Sequence, residues 1–252
     1  MVFIGSIDQG TSSTRFLVFD SKTAKVSASS QLEVSHITPK SGWLEEDPLE
    51  IYQTVVQTIK NVLNENPEIK SQGIASIGIT NQRESTVLWD KETGQPLYNA
   101  IIWCDGRTQE TVQKIKNEQM DNADFEESLK KLTGLPISTY FSAVKIRWMI
   151  DNVPEVKQSI QNETCMFGTI DTWLIYKLSA GKVHATDATN ASRTLLYDIN
   201  TNRWNDELVS IFKVEGVKLP EIKSSSCVEF CEIEDRELEE LKQVRVTGVQ
   251  RF

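Results

Sequence analysis

Histidine and cysteine are scarce in this 252-residue chain: two of the former, His36 and His184, and four of the latter, Cys104, Cys165, Cys227 and Cys231. The histidines stand alone and the first three cysteines are far apart. Cys227 and Cys231 have neither zinc-knuckle spacing nor paired histidines nearby, so all six residues read as structural or incidental rather than as metal ligands or nucleophiles. Such sparse cysteine fits a reducing compartment. No apolar run approaches the roughly 20 residues of a membrane span. No basic segment followed by a long apolar region opens the chain, so no signal peptide is read and a cytoplasmic location is expected. Without a secretory signal, the glycosylation-type triplets at Asn162 and Asn190 read as chance matches. Positive charge is in deficit, 27 Lys and Arg against 36 Asp and Glu, for a formal net charge of -9. That balance argues against general nucleic-acid or membrane-surface binding. Internal repeats, low-complexity stretches and long linkers are missing, as is any G-x-x-x-x-G-K-[ST] P-loop.

What the chain does have begins at its start. A β-rich run, Val2 to Ile7, meets a tight polar turn, Asp8 to Ser13, and a second β-rich run, Phe16 to Phe19, follows at once. The turn supplies a carboxylate, a glycine and several hydroxyls. Gly10 allows close backbone approach, and successive N–H groups in such a turn make an anion-binding concavity. Thr11, Ser12 and Ser13 add donors, and Asp8 suits Mg²⁺ directly or through water. A polar β-hairpin tip explains the same residues equally well.

Further on, Val26 to Val34 reads as a third strand. Asp47-Pro48-Leu49-Glu50 reads as a helix start with a capping carboxylate and proline at the first helical position. The helix places Leu49, Tyr52, Val55, Val56, Ile59, Val62 and Leu63 on one face, and Asn66-Pro67 ends it. Gly73 to Thr80 suits a buried strand. Strands are expected over Ser85 to Trp89 and Leu97 to Trp103, joined by a turn at Lys91 to Pro96. Helices are expected over Arg107–Lys116, Phe125–Leu132, Ser142–Asn152, Ile170–Leu178 and Asp206–Phe212. This order of elements argues for an α/β domain. The seven acids between Glu229 and Glu240 read as a solvated surface strand or helix.

Two more clusters carry chemistry. Thr80-Asn-Gln-Arg-Glu-Ser85 closes the buried strand, where ligands gather in open α/β sheets. Arg83 and Glu84 offer the donors and acceptors that read adjacent hydroxyls of a polyol, or else form a surface ion pair. Trp103 in Trp103-Cys-Asp-Gly-Arg-Thr108 presents an aromatic face for the carbon edge of a polyol, or packs in the core. The Tyr140 hydroxyl, just before a helix, reaches a ligand or caps a core contact.

Taken together, these segments resemble the glycerol kinases, within the carbohydrate kinases that share the actin-like ATPase fold. Asp8-Gln-Gly-Thr-Ser-Ser-Thr-Arg15 is similar to the first phosphate motif, and Tyr140 to Asn152 to the N-terminal signature. Asn81–Glu84, Trp103–Thr108, Gly168–Ile175 and Thr189–Thr194 are similar to glycerol kinases in particular. The resemblance covers about residues 3 to 226 and weakens in the tail, 227 to 252. It implies a ribonuclease H-like α/β domain with a mixed five-stranded sheet flanked by helices, residues 1–252 forming the N-terminal domain. It also implies ATP and Mg²⁺ as cofactors. Thr11, Ser12, Ser13 and Arg15 would meet the ATP phosphates, with Asp8 near the metal. Arg83, Glu84 and Tyr140 would bind glycerol hydroxyls and Trp103 its carbons. The family's catalytic carboxylate lies in a Gly-Asp-Gln segment after a strand resembling Val244-Arg-Val-Thr-Gly248. This chain reads Val249-Gln-Arg-Phe252 there, so no catalytic base is assigned, and the second domain with the adenine site is not found. The implied activity is glycerol phosphorylation to sn-glycerol 3-phosphate, with this chain inactive alone. Other readings are a non-catalytic truncated isoform that binds glycerol or pairs with a full-length subunit, or another polyol or sugar kinase; a homo-oligomer is compatible with each.

Overall fold

The computed structural model describes residues 2–249. Period-two burial sets up its sheet. Phe3, Gly5, Ile7 and Gln9 of β1 (Phe3–Gln9) and Thr14, Phe16, Val18 and Asp20 of β2 (Ser13–Asp20) are buried, with more open positions between them. Such alternation marks strands with one face on a core. The two pair antiparallel, with Ile7 opposite Phe16 and Asp8 opposite Arg15. Gly5 is required by close approach, because a Cβ there would stand 2.8 Å from Phe16 Cζ and 3.0 Å from Ile77 Cγ1. β3 (Val26–Glu33) pairs antiparallel with β2.

After the two-residue β4 (Glu45–Glu46), helix α1 (Pro48–Glu65) covers the buried face of this sheet. Asp47 caps it, accepting a 2.8 Å hydrogen bond from the Leu49 N–H, and Pro48 sits at the first helical position. The cap contributes about 1 kcal/mol. Burying Ile51, Tyr52, Val55, Val56, Ile59, Val62 and Leu63, at about 1.5–3 kcal/mol for each aliphatic side chain, dominates. Packing rather than capping therefore holds α1 in place. The short α2 (Pro67–Gln72) ends at Gly73, whose φ of 77° turns the chain into β5 (Ile74–Asn81), parallel to β1.

The expected hairpin over residues 85–103 is irregular. β6 (Val87–Asp90) and β7 (Ala100–Ile101) form no continuous ladder; their arms are joined by isolated antiparallel bridges, Thr86 with Ile101 and Trp89 with Pro96. Between them, the Tyr98 hydroxyl and Asn99 amide turn to Glu45, at 2.7 and 2.8 Å. β7 accordingly pairs with β4, and β6 with β8 (Cys165–Gly168). Helix α3 (Gln109–Glu118) starts two residues later than expected, because Asp105 Oδ1 holds the Arg107 N–H and Nε at 2.8 and 2.9 Å. α4 (Phe125–Thr133), α5 (Ser142–Asn152) and α6 (Pro154–Gln161) follow. α7 (Ile170–Leu178) is buried nearly all round, and its Trp173 indole N–H donates to Pro48 O, tying it to α1. Then come β9 (Ala185–Asp187), α8 (Ala188–Ala191), β10 (Tyr197–Asp198), β11 (Arg203–Trp204), α9 (Asp206–Phe212) and β12 (Glu221–Lys223).

β13 (Ser226–Glu232), a 3₁₀ turn over Arg236–Leu241 and β14 (Arg245–Val249) complete the described chain. The sheet order is β13-β14-β5-β1-β2-β3, with β14, β5 and β1 mutually parallel and the outer strands antiparallel. The expected mixed sheet is thus present, widened by β13 at its edge. The acidic run 229–240 does put charges outward, where Glu237 pairs with Lys60 at 2.8 Å and Glu240 with Lys70 at 3.1 Å. Phe230, Cys231, Ile233, Leu238 and Leu241 nevertheless bury into the main core, so the tail is part of the domain. A second core, around Leu88, Phe141, Val144, Phe167, Leu195 and Phe212, lies among the helices after α2.

Candidate active site

Three parallel strands end together. In register, Ile79 of β5 lies beside Ile7 of β1 and Val249 of β14. Segments leaving these carboxyl ends therefore meet at one edge, where α/β sheets place their ligands. A cleft of about 410 Å³ opens there. Asp8–Thr11 form one wall, Thr80–Glu84 another, and Trp103 with Tyr140 a third. The expectation that no catalytic base follows β14 falls on residues 250–252, which lie outside the described residues.

The turn Asp8–Ser13 is held from several sides. Gly10 N–H donates to Ser13 O at 2.9 Å, closing it. His36 Nε2 donates to Thr11 O at 2.8 Å. The Trp103 indole N–H donates to Thr11 Oγ1 at 2.9 Å, so the Thr11 hydroxyl keeps its own proton for the cleft. Gly10 lines the wall without positive φ; its contribution is the missing side chain. Ser12 is exposed at the tip, its carbonyl accepting from Val34 N–H, and Ser13 begins β2. Arg15 is exposed beside the cleft, 3.1 Å from Asp8 Oδ2 and 3.0 Å from Gln31. The structure therefore puts Asp8 and Thr11 in the cleft wall, with Ser12, Ser13 and Arg15 on its rim.

Glu84 sits at φ 63°, a left-handed conformation that costs an L-residue about 1–3 kcal/mol. Ser142 Oγ at 3.2 Å and Thr86 Oγ1 at 2.9 Å donate to its carbonyl and hold it. Its carboxylate, 4% exposed, accepts from Arg193 Nε at 2.6 Å. A surface ion pair between neighbours 83 and 84 is thus not what forms. Arg83 donates to Thr189 O at 3.4 Å and lines the cleft. Trp103 and Tyr140 are half-buried, with ring centroids 5.5 Å apart; Trp103 lines the cleft and also packs against the main core. Asn190 is buried against Asn81 at 2.9 Å, which disposes of it as a glycosylation acceptor.

Below the cleft lies a network that sequence reasoning missed. Gln82 Nε2 donates to Gln9 Oε1 at 3.2 Å and to Glu46 Oε2 at 2.9 Å, while Ser85 Oγ donates to Gln82 Oε1. Glu46 is fully buried, Oε1 lacks a hydrogen-bond partner, and burial pushes its carboxyl up to about 8. Lys145 is also fully buried; its ammonium donates to Tyr140 O, and desolvation pulls it down to about 7. Lys145 lies inside the 140–152 signature and Arg193 inside the 189–194 motif, so a signal for both existed without a role attached. Glu46, just ahead of the helix start at Asp47, had none.

Among the described residues no group of three or more His, Cys, Asp or Glu is placed to hold a metal. Asp8 lines the cleft beside the turn and gives Oδ2 to Arg15. One carboxylate suits Mg²⁺, which keeps several waters and takes its other ligands from phosphates.

Residues 3–246 match the FGGY family of carbohydrate kinases, N-terminal domain, which carries the match past residue 226 into β14. A glycerol kinase of Brucella anthropi is 46% identical over 252 residues, 99% of this chain and 49% of that protein. A glycerol kinase of Mycoplasma pneumoniae is 48% identical over 224 residues, 89% of this chain and 43% of that protein. The solved glycerol kinase of Plasmodium falciparum with ADP superimposes with a TM-score of 0.87 at 39% identity, covering 99% of this chain and 48% of that one. The chain spans about half the length of the curated relatives it matches. No helix of the described residues is long and apolar enough to cross a membrane. With the parallel-strand cleft, the polar turn at its edge and a match over nearly the whole sequence, the chain belongs to the FGGY family of carbohydrate kinases, through their N-terminal domain.

Proposed function

We propose that this chain is the polyol-side half of a glycerol kinase, transferring the γ-phosphoryl group of ATP to a terminal hydroxyl of glycerol. One observation carries the reading: the phosphate turn and the polyol-type residues Arg83, Glu84, Trp103 and Tyr140 line the same cleft. An ATPase without a polyol acceptor has no need of the second group. Its four free cysteines suit a reducing, cytoplasmic setting.

Phosphoryl transfer depends mostly on positioning and charge stabilisation. Glu84 accepts and Arg83 donates to neighbouring hydroxyls, fixing one of them toward the phosphate turn, while the Trp103 face packs on the carbon chain. The Thr11 hydroxyl and the turn's N–H groups donate to phosphate oxygens, and Arg15 adds positive charge at the rim. Mg²⁺, held at Asp8 with the nucleotide, would neutralise phosphate charge. The attacking oxygen forms its bond to phosphorus as the bond to ADP breaks, and its proton passes to a carboxylate. That carboxylate and the adenine site belong to the other half of the relatives' length. Expressed by themselves, the 252 residues give no glycerol-dependent ADP release; clear turnover at stoichiometric enzyme would contradict this.

In a version extended to the relatives' length, Arg83→Ala raises the KM for glycerol far more than that for ATP. An equal rise in both would mark a fold defect and remove the support for the polyol assignment.

A further inference from the structure

The 189–194 motif does not itself line the cleft, yet it is bonded to residues 81–84 of the cleft wall. Asp187 fixes its start: Oδ1 accepts from the N–H and Nδ2 of Asn190, both at 2.9 Å, and Oδ2 from Thr189 Oγ1 at 2.8 Å and Ser225 Oγ at 2.6 Å. From this anchored segment three contacts run back to residues 81–84. Asn190 Oδ1 accepts from Asn81 at 2.9 Å, Thr189 O accepts from Arg83 at 3.4 Å, and Arg193 Nε donates to Glu84 Oε1 at 2.6 Å. The Arg193 guanidinium also lies 5.8 Å from the Tyr140 ring centroid and 5.0 Å from that of Phe141.

We propose that Arg193 is the positioning residue of the polyol pocket, orienting the Glu84 carboxylate and the Tyr140 ring against each other from outside the cleft. The inference rests on the polyol reading of the cleft. A planar guanidinium suits the task because one edge bonds a carboxylate while its face packs on an aromatic ring. Arg193 occupies Oε1 of Glu84, and Oε2 has no hydrogen-bond partner among the described residues, so a defined acceptor is left to the cleft that Glu84 lines. The left-handed backbone of Glu84, the Ser142 contact to its carbonyl and the Arg193 contact to its carboxylate together leave the side chain little freedom. A carboxylate oriented before glycerol arrives costs the complex less ordering.

The test uses the 252-residue protein, ¹⁵N-arginine labelling and glycerol titration. The Arg193 Nε–H resonance, identified by its loss in Arg193→Met, is expected to shift in Glu84→Gln. Glycerol binding is expected to weaken about tenfold or more in Arg193→Met, the size of one charge-assisted hydrogen bond. The double variant is expected to bind no worse than Glu84→Gln alone, because Arg193 acts through the Glu84 carboxylate. Unchanged glycerol binding in Arg193→Met, or additive losses in the double variant, would overturn the inference. If Arg193→Met does not fold, Arg193→Lys keeps the charge without the fork, and wild-type binding by that variant overturns it equally. Failure of the underlying reading looks different: wild-type protein that binds no glycerol although the Nε–H resonance shifts in Glu84→Gln. That result keeps the ion pair but removes the polyol and, with it, the proposed role.

Discussion

Replacing Glu46 with glutamine is expected to stabilise the protein at pH 8 and to change it little at pH 5. The side chain is fully buried, with Oε2 accepting from Gln82 and Oε1 without a hydrogen-bond partner. His36 Nε2 stands 3.6 Å from Oε1, and the Glu50 charge adds repulsion. Burial is the leading cause that raises the carboxyl from its ordinary 4.5 to about 8, with the Gln82 hydrogen bond opposing it. Below pH 4.5 the folded and unfolded chains both carry the proton. Above it the unfolded chain releases its proton first, so this carboxyl's contribution to stability falls until about pH 8 and then levels off. At about 1.4 kcal/mol per pH unit for one proton, the full loss is on the order of 4–5 kcal/mol, an upper bound because buried sites relax when charged. Asp171, which burial raises to about 7, loses stability over part of the same range, but it is present in both proteins and cancels. Urea unfolding at pH 5, 6.5 and 8 is expected to give a Glu46→Gln advantage under about 1 kcal/mol at pH 5, growing to about 3 kcal/mol or more at pH 8. A difference that does not change with pH would refute a protonated Glu46 beneath the phosphate turn.

Gly5→Ala is expected to destabilise the domain by about 1–3 kcal/mol in the same urea assay, because the added methyl would meet Phe16 at 2.8 Å and Ile77 at 3.0 Å; unchanged stability would mean the β1–β2 face yields freely. Trp103→Phe keeps an aromatic face on the cleft and removes the 2.9 Å bond to Thr11 Oγ1. In a version extended to the relatives' length it is expected to raise the KM for ATP severalfold, from about 1 kcal/mol of lost anchoring, while glycerol KM moves less; the reverse pattern would detach Trp103 from the phosphate turn.

Local signals carried far. The Asp47-Pro48 cap, the apolar face of α1 and the bounds of α5, α7 and α9 were legible because each depends on residues within a few positions. The cleft was legible residue by residue too: Asp8, Thr11, Arg83, Glu84, Trp103 and Tyr140 all line it. What escaped was pairing across the chain. Glu84 and Arg193 are 109 residues apart, and nothing local to either names the other. Leu97–Trp103 reads as a strand but loses most of its length, because Tyr98 and Asn99 are drawn to Glu45. The run 229–240 reads as solvated because its acids outnumber the apolar residues that bury between them. The helix at Pro154–Gln161 did have a signal, proline at its first position with Glu155 after it, and was simply overlooked. The burial of Lys145 and Glu46 was unreadable for a different reason: a buried charged group is identified by the dielectric around it, which belongs to the assembled fold.

The polyol assignment is tested most directly by titrating glycerol into the 252-residue protein while following the Trp103 indole N–H resonance. A saturable shift of that resonance, with the indole signals of the buried Trp89 and Trp173 unmoved and the response lost in Arg83→Ala, is the expected result. A Trp103 resonance that does not respond to glycerol, or responds equally in Arg83→Ala, would contradict the assignment of this cleft to a polyol.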